Sequence, residues 1–516
     1  MDTPTRKVVI VGGGSAGWIT AARMAARCRS AGADAVSVIL VESATVETIG
    51  VGEGTWPTMR NTLRKAGIAE TDFLRGCDAA FKQGAKFVRW TDGTDSDGYY
   101  HPLNPPQGAP GINLSAHWER LHRDSGAAFA DCVDFQSTLC EAGLAPKAIT
   151  TPEYAAVANY AYHLDAGKFA ALLRTHAIGK LGVEHIVDDV VEVVQADNGD
   201  IKSVTLQRAG ALAGDLFIDC TGFAALLIGK TLGVPFKDCS DTLFVDNAIA
   251  LQVPYPSIDS PVASHTIATA SGAGWIWDIG LPTRRGVGHV YSSRHMSHDE
   301  AEAVVRHYIG PAAAGLTARN IKIRAGHRER FWVRNCVAIG LSAGFLEPLE
   351  ASALMLIEHS VDFVTDRLPA NRSVMDTVAA QFNTAFAHHW ERIVEFLKLH
   401  YALTKREDTA FWRDNRDPAT IPDGLKERLA LWRHHPPSQQ DFPHQPEVFS
   451  WPSYQYILHG MRFATHYSQL PQIESEAPLA QRCFEAAARA KTKWINELPQ
   501  HRDVLNKVRV YGLQAV

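Results

Sequence analysis

The stretch Lys7-Val8-Val9-Ile10-Val11-Gly12-Gly13-Gly14-Ser15-Ala16-Gly17-Trp18 decides how the rest of the chain is read. A short β-branched run enters a glycine turn, and an alanine-rich helical pattern from Ile19 to Cys28 leaves it. Strand, turn and helix with G-x-G-x-x-G at Gly12, Gly14 and Gly17 make a dinucleotide fingerprint. Gly12 permits the tight turn. Gly14, followed by Ser15 and Ala16, lets backbone N–H groups approach a pyrophosphate, and Gly17 lets helix and strand pack closely. A second strand, Val36 to Val41, ends in Glu42, where an acid that binds an adenosine ribose usually stands. The fingerprint lies at the head of the chain, which favours FAD over NAD. The expected fold class is therefore α/β, a two-part FAD-binding, Rossmann-like fold.

Working outward, several stretches are candidates to meet the cofactor. Ile49 to Pro57, with Gly50, Gly52, Glu53 and Thr55, is either a plain surface turn or a mobile loop lying against it. Leu216 to Asp219 reads as a buried strand closing on Cys220-Thr221-Gly222, and Val333 to Gly340 as another that ends in glycine. The second delivers the chain to Phe345-Leu346-Glu347-Pro348-Leu349-Glu350-Ala351-Ser352-Ala353. Acids among apolar residues are costly unless paired, so Glu347 and Glu350 are either structural partners or functional groups.

Other stretches belong to a second, β-rich part and to a helical tail. Lys82 and Lys86 lie four apart among apolar residues, and the default is exposed lysines on a helix face. Asp92 to Pro110 has the composition of a long loop or insertion, and His101 and Leu103 fall inside it. Ala156 to Arg174 reads as helical, with Asp165 as a cap, and Asp197-Asn198-Gly199-Asp200 as the turn of a hairpin. Between Thr242 and Ser293 short β-like runs alternate with turns, and Trp275 and Trp277 share one strand face at period two. Beyond Asn371 helical spacing dominates, with Ile393, Phe396, Leu397 and Tyr401 on one face and many aromatics, Tyr454 among them. The expected organisation is a FAD-binding core over residues 1–370, carrying the loop at 92–110 and the β-rich region at 242–293. A helical, aromatic region over 371–516 would cover the substrate pocket.

Bulk composition narrows the function further. With 51 Lys plus Arg against 56 Asp plus Glu, the net charge of -5 argues against nucleic acid or a membrane surface as partner. The eight cysteines are scattered without metal-ligand spacing, so no metal site is expected. No run approaches the ~18 apolar residues that a membrane helix needs, and the expected location is the cytoplasm.

The ordered set of Gly12 to Trp18, Gly50 to Thr55, Lys82, Trp275 with Trp277, and Glu347 to Glu350 resembles the flavin-dependent tryptophan halogenases across nearly the whole chain. The resemblance implies that FADH2 from a separate flavin reductase, O2 and halide yield hypohalous acid, which travels through a tunnel to an aromatic ring. It implies that Lys82 holds or reacts with the hypohalous acid and that Glu350 assists and helps remove the ring proton. Trp275 and Trp277 would wall the route between flavin and substrate, and the backbone at Ser352 and Ala353 would bind halide. Electrophilic halogenation does need a cationic donor and a carboxylate near the developing ring cation.

The sequence also departs from the family pattern. Trp-x-Trp-x-Ile-Pro is replaced by Trp275-Ile276-Trp277-Asp278-Ile279-Gly280, and Ser-Thr-Gly by Ala351-Ser352-Ala353, which points to bromide over chloride. His-x-Phe becomes His101-Pro102-Leu103, and a tyrosine pair becomes Tyr454-Gln455 with no glutamate following it to hold an ammonium. The expected substrate is indole or another electron-rich aromatic rather than free tryptophan. A FAD-dependent aromatic hydroxylase and a non-catalytic flavin-binding sensor are the competing readings.

Overall fold

In the computed structural model, which describes residues 4–28, 36–46, 52–444, 447–467 and 470–515, strand Lys7–Val11 stands inside a six-stranded sheet. Across that sheet the order is Trp332–Val333, Cys336–Ala338, Leu216–Asp219, Lys7–Val11, Ser37–Glu42 and Glu184–Val187. All neighbours are parallel except the first pair. Val8, Val9 and Ile10 are wholly buried, as expected of a parallel strand covered on both faces. Helix Ser15–Cys28 follows the glycine turn, and its Arg23 bridges Asp362 at 2.8 Å and Asp366 at 3.0 Å on helix Ser352–Asp366.

Helix Ala166–Leu181 starts where Asp165 accepts a hydrogen bond from the Lys168 amide at 3.0 Å, the cap expected from sequence. It begins later than the run from Ala156, because Ala161–Asp165 is a strand. The hairpin is present too: Val190–Gln195 pairs antiparallel with Ile201–Leu206 around the 197–200 turn.

The chain divides into two compact units that interleave along the sequence. One comprises Met1–Asp78, Leu164–Cys239 and Arg324–Glu391; the other comprises Ala79–His163, Ser240–Ile323 and Arg392–Val516. Composition had suggested one change of character near residue 370, whereas the 31-residue helix Arg372–Ala402 passes from the first unit into the second.

The second unit holds a seven-stranded sheet in the order Arg319–Lys322, Asn247–Pro254, Arg284–Tyr291, Gly274–Gly280, Thr266–Ala270, Gly84–Val88 and Gly98–Pro102. Gly98–Pro102 is a correction to the loop expected over 92–110. Asp97 accepts from the Thr91 and Asp92 amides at 2.7 and 2.8 Å, which folds the polar stretch into a tight turn and returns the chain as a strand beside Gly84–Val88. Every residue of Gly274–Gly280 is buried, and a Cβ on Gly288 of the neighbouring strand would lie 2.1 Å from the Trp277 ring, so glycine there makes room for the indole. Helices Trp451–Gly460, Ile473–Glu497 and His501–Tyr511 belong to the same unit, in the helical region foreseen. Among the described residues no helix is long and apolar enough to cross a membrane.

Candidate active site

In the first unit the fingerprint has the local geometry that its glycines demand. Gly12 has φ +117, and a Cβ there would sit 2.1 Å from the Cys220 carbonyl oxygen of the adjacent strand end. A Cβ on Gly17 would lie 1.9 Å from the Gly12 carbonyl oxygen, so the helix start packs directly on the turn. Gly14 has open space around its missing Cβ, and residues 12–16 are partly exposed while the strand before them is buried. That open lip at a helix N-terminus, with Ser15 and Ala16 as its first residues, fits a pyrophosphate. Glu42 ends its strand beside the turn, with its carboxylate 2.9 Å from His185 Nε2. These residues fit the adenine-dinucleotide half of FAD.

Thr221 shapes the same region through the backbone. Its hydroxyl donates to Asp219 at 2.6 Å and accepts from the Leu226 amide at 2.8 Å. The wholly buried Asp219 also takes the Leu227 and Ile228 amides at 2.9 and 2.8 Å, and burial pushes its carboxyl up despite those bonds. Gly340, at φ +79, abuts the fingerprint helix, since a Cβ on it would come within 2.7 Å of that of Ala16. Gly52–Gly54 is a short strand and Thr55 is buried. Burial, with the Asp165 charge second, pushes the Glu53 carboxyl up to about 7. Gly50 lies outside the described residues.

Glu347 and Glu350 are both buried. Glu350 and Ala351 adopt φ +64 and +53 in succession, a left-handed pair that costs roughly 1–2 kcal/mol per residue without glycine. The Trp56 indole donates to the Glu350 carbonyl at 2.6 Å and holds that turn. Helix Ser352–Asp366 begins at once, with no side chain capping its first amides. The Ser352 and Ala353 end of this helix therefore has the polarity and the donors that an anion needs.

In the second unit Lys82 is a correction to the exposed helical lysine. It lies on strand Ala80–Lys82, paired antiparallel with Ala161–His163, and is only 3% exposed. Gly84 and the short strands around it exclude a helix, because a Cβ at Gly84 would lie 2.6 Å from the His101 carbonyl oxygen. Burial first, and the Lys82 charge second, hold the His163 imidazole well below its ordinary range. Both neighbours of Lys82 are pinned. The Phe81 amide donates to His501 Nε2 at 3.1 Å, while His501 Nδ1 donates to the Val262 carbonyl at 2.9 Å. Gln83 donates to the Leu144 carbonyl at 2.8 Å, and its own carbonyl accepts the Leu103 amide at 3.2 Å.

His101 is buried on strand Gly98–Pro102, and Tyr454 is buried on helix Trp451–Gly460; both rings pack on Phe396, at 6.0 and 4.8 Å. Trp275 and Trp277 lie edge to face at 6.4 Å. Trp275 continues to Trp90, Trp90 to His400 and His400 to Phe396, at 6.4, 6.0 and 5.3 Å. The structure thus brings the tryptophan pair, His101 and Tyr454 onto one aromatic path. Trp90, His400 and Gln83 were missed from sequence, because nothing local marks a ring or an amide whose partner lies on a distant segment. Tyr454 is held protonated by burial, with Glu395 and Glu447 among the charges that face it.

Residues 7–476 match the family model for tryptophan halogenase. The chain is 36% identical over 530 residues to the 7-chloro-L-tryptophan 6-halogenase KtzR of Kutzneria sp. (strain 744), covering 97% of this chain and 99% of that one. It superposes on a tryptophan halogenase from Shewanella frigidimarina NCIMB 400 with a TM-score of 0.97 and 45% identity, over 100% of this chain and 99% of the other. Tar14, a tryptophan C-6 flavin-dependent halogenase (chlorinase) from taromycin biosynthesis, gives 0.91 and 36%, over 98% and 100%. Flavin-dependent halogenases use halide and O2 with reduced flavin from a partner reductase, and they act on aromatic compounds. A glycine cradle shaped for FAD and matches that run almost end to end place the chain in the tryptophan halogenase family, as an oxidoreductase that works with FADH2.

Proposed function

We propose that the chain halogenates an indole ring, with Lys82 and Glu350 as its catalytic residues. When bound, reduced FAD supplies the two electrons with which O2 and a halide ion become hypohalous acid and water. The Lys82 ammonium then donates a hydrogen bond to the hypohalous oxygen and polarises the O–halogen bond toward the ring. The ring carbon takes the halogen, the departing hydroxide takes a proton from the Lys82 ammonium and leaves as water, and the Glu350 carboxylate accepts the displaced ring proton. The observation that carries this reading is the burial of Lys82 at 3% exposure, on a strand pinned at the residues before and after it. A buried ionisable side chain on a rigid strand is the kind of group that functional sites use.

Indole without the amino-acid group is the preferred substrate in this reading, because Gln455 replaces a tyrosine, its side-chain nitrogen is held by Asn113 and Pro437 at 2.8 and 2.9 Å, and no glutamate follows it to hold an ammonium. A second reading, free tryptophan, is favoured by the substrate named for KtzR. Bromide is the preferred halide because it is oxidised more easily and Ala351 and Ala353 stand where the family pattern has serine and glycine. FADH2 comes from a separate reductase in the cytoplasm. The test is purified protein with a flavin reductase, NADH, chloride and bromide in competition, and both indole and tryptophan, read by mass spectrometry. Brominated indole as the main product is expected; Lys82→Ala and Glu350→Gln should each lower turnover by at least about 100-fold. Oxygenated product without halogen would overturn the reading in favour of a hydroxylase, and full turnover by Lys82→Ala would overturn the assignment of the site.

A further inference from the structure

Behind the turn that runs from Gly340 to Leu346, the first unit leaves a cavity of about 40 Å³. Its walls include Leu346, Leu356, Phe382, Phe386 and Trp390. Phe382 and Phe386 are stacked at 4.1 Å, and Trp390 stacks on His327 at 5.3 Å, so the aromatic wall is braced from behind. The Ser360 hydroxyl also borders the space but donates to the Leu356 carbonyl at 2.7 Å within its own helix.

Size and chemistry limit what can enter. About 10–15 Å³ already admits a water molecule, but water needs two or more polar partners, and apolar cavities stay dry and take up nonpolar gases. A ring the size of benzene needs a cavity of about 150 Å³. An aromatic substrate is therefore too large, and a halide ion would be stripped of hydration among phenyl rings. The position is specific as well. The lining includes Gly340, which abuts Ala16 of the fingerprint helix, and Ser352 and Ala353 at the helix start assigned to halide.

We propose that this cavity is a binding chamber for dioxygen that feeds the flavin site of the same unit. The inference rests on FAD occupying the fingerprint and is independent of the roles given to Lys82 and Glu350. The apolar walls concentrate O2 from water while excluding water itself, and the lining at Gly340 and Ala353 puts it beside the segment that meets the cofactor.

Crystals of the full chain without flavin, pressurised with xenon, test the chamber directly, and an anomalous peak among Leu356, Phe386 and Trp390 is expected. Ser360→Leu should fill the space, remove the xenon peak and slow reoxidation of enzyme-bound FADH2 by O2 about tenfold, with affinity for oxidised FAD unchanged. Ser360→Ala should keep both the peak and the rate, and Ala343→Val is the milder filling variant should leucine prevent folding. No xenon in the wild-type cavity overturns the proposal. So does a filled variant that reoxidises at the wild-type rate, which would leave a packing void only. Neither readout involves halide or an aromatic substrate, so a failure of the substrate reading leaves this result intact.

Discussion

Replacing His501 separates a fixed hydrogen-bond bridge from a merely buried ring. The imidazole is wholly buried and joins two segments: it accepts the Phe81 amide at 3.1 Å and donates to the Val262 carbonyl at 2.9 Å. Those partners require the neutral Nδ1–H tautomer, because a protonated ring would turn an N–H toward the Phe81 N–H. His501→Phe leaves one buried donor and one buried acceptor unmet, at about 1–3 kcal/mol each. His501→Gln can serve both and should cost less than about half as much. Burial lowers the imidazole from 6.5 to about 4. The folded protein therefore binds fewer protons than the unfolded chain between those values. Its stability from this group is complete above 6.5 and falls as pH drops toward 4, by about 3 kcal/mol at most. His163, His265 and His459 are likewise depressed by burial, so the slope in the wild type is collective, and His501→Gln should remove one share of it. Urea unfolding of wild type and both variants at pH 7.5 and 5.5 measures these differences, and hydrogen exchange at the Phe81 amide reports the strand that carries Lys82. A phenylalanine variant as stable as wild type at pH 7.5, with that amide still protected, would refute the bridge.

Two further outcomes follow from the first unit. Gly14→Ala should fold with unchanged thermal stability, because nothing lies within 4 Å of its Cβ, yet weaken FAD binding at least about tenfold by filling the lip; Gly12→Ala, whose Cβ would sit 2.1 Å from the Cys220 carbonyl oxygen, should lose stability as well, as calorimetry with flavin titration would distinguish. Glu358 is buried, accepts from Thr58 at 3.2 Å and from Thr62, and burial raises its carboxyl to about 8. Folding favours its protonated form, so wild type should lose stability as pH climbs from 4.5 through about 8, and Glu358→Gln should be the more stable at pH 9 by up to about 5 kcal/mol in chemical denaturation.

What was legible in the sequence is what neighbouring residues dictate. The fingerprint was readable because Gly12 is required by the positive φ of its own turn and Gly17 by contact with the Gly12 carbonyl five residues before it, and the Asp165 cap because its partner is Lys168. The Asp197–Asp200 turn and the shared face of Trp275 and Trp277 follow from equally short periods. Lys82 was misplaced onto a helix face because a three-residue strand has no period of its own; it exists by pairing with Ala161–His163, some eighty positions on. Gly98–Pro102 was hidden the same way, since its turn-rich composition yields only once Asp97 has gathered the preceding amides and Gly84–Val88 offers an edge.

The candidate site divides along the same line. Its residue types were foreseen from a family resemblance, while its supports were not. Glu350 and Ala351 take left-handed backbone that their side chains disfavour, and no pattern in Leu349 to Ala353 announces it. The indole of Trp56 reaches the Glu350 carbonyl across 294 positions, and His501 reaches Phe81 across 420. Such contacts form only when the interleaved segments of each unit have assembled, so they are properties of topology rather than of any window of sequence. That is also where strain is held. The left-handed backbone at Glu350 persists because distant groups over-determine it, and Trp56, which bonds its carbonyl, is the one whose replacement should disturb the turn while leaving its named residues in place.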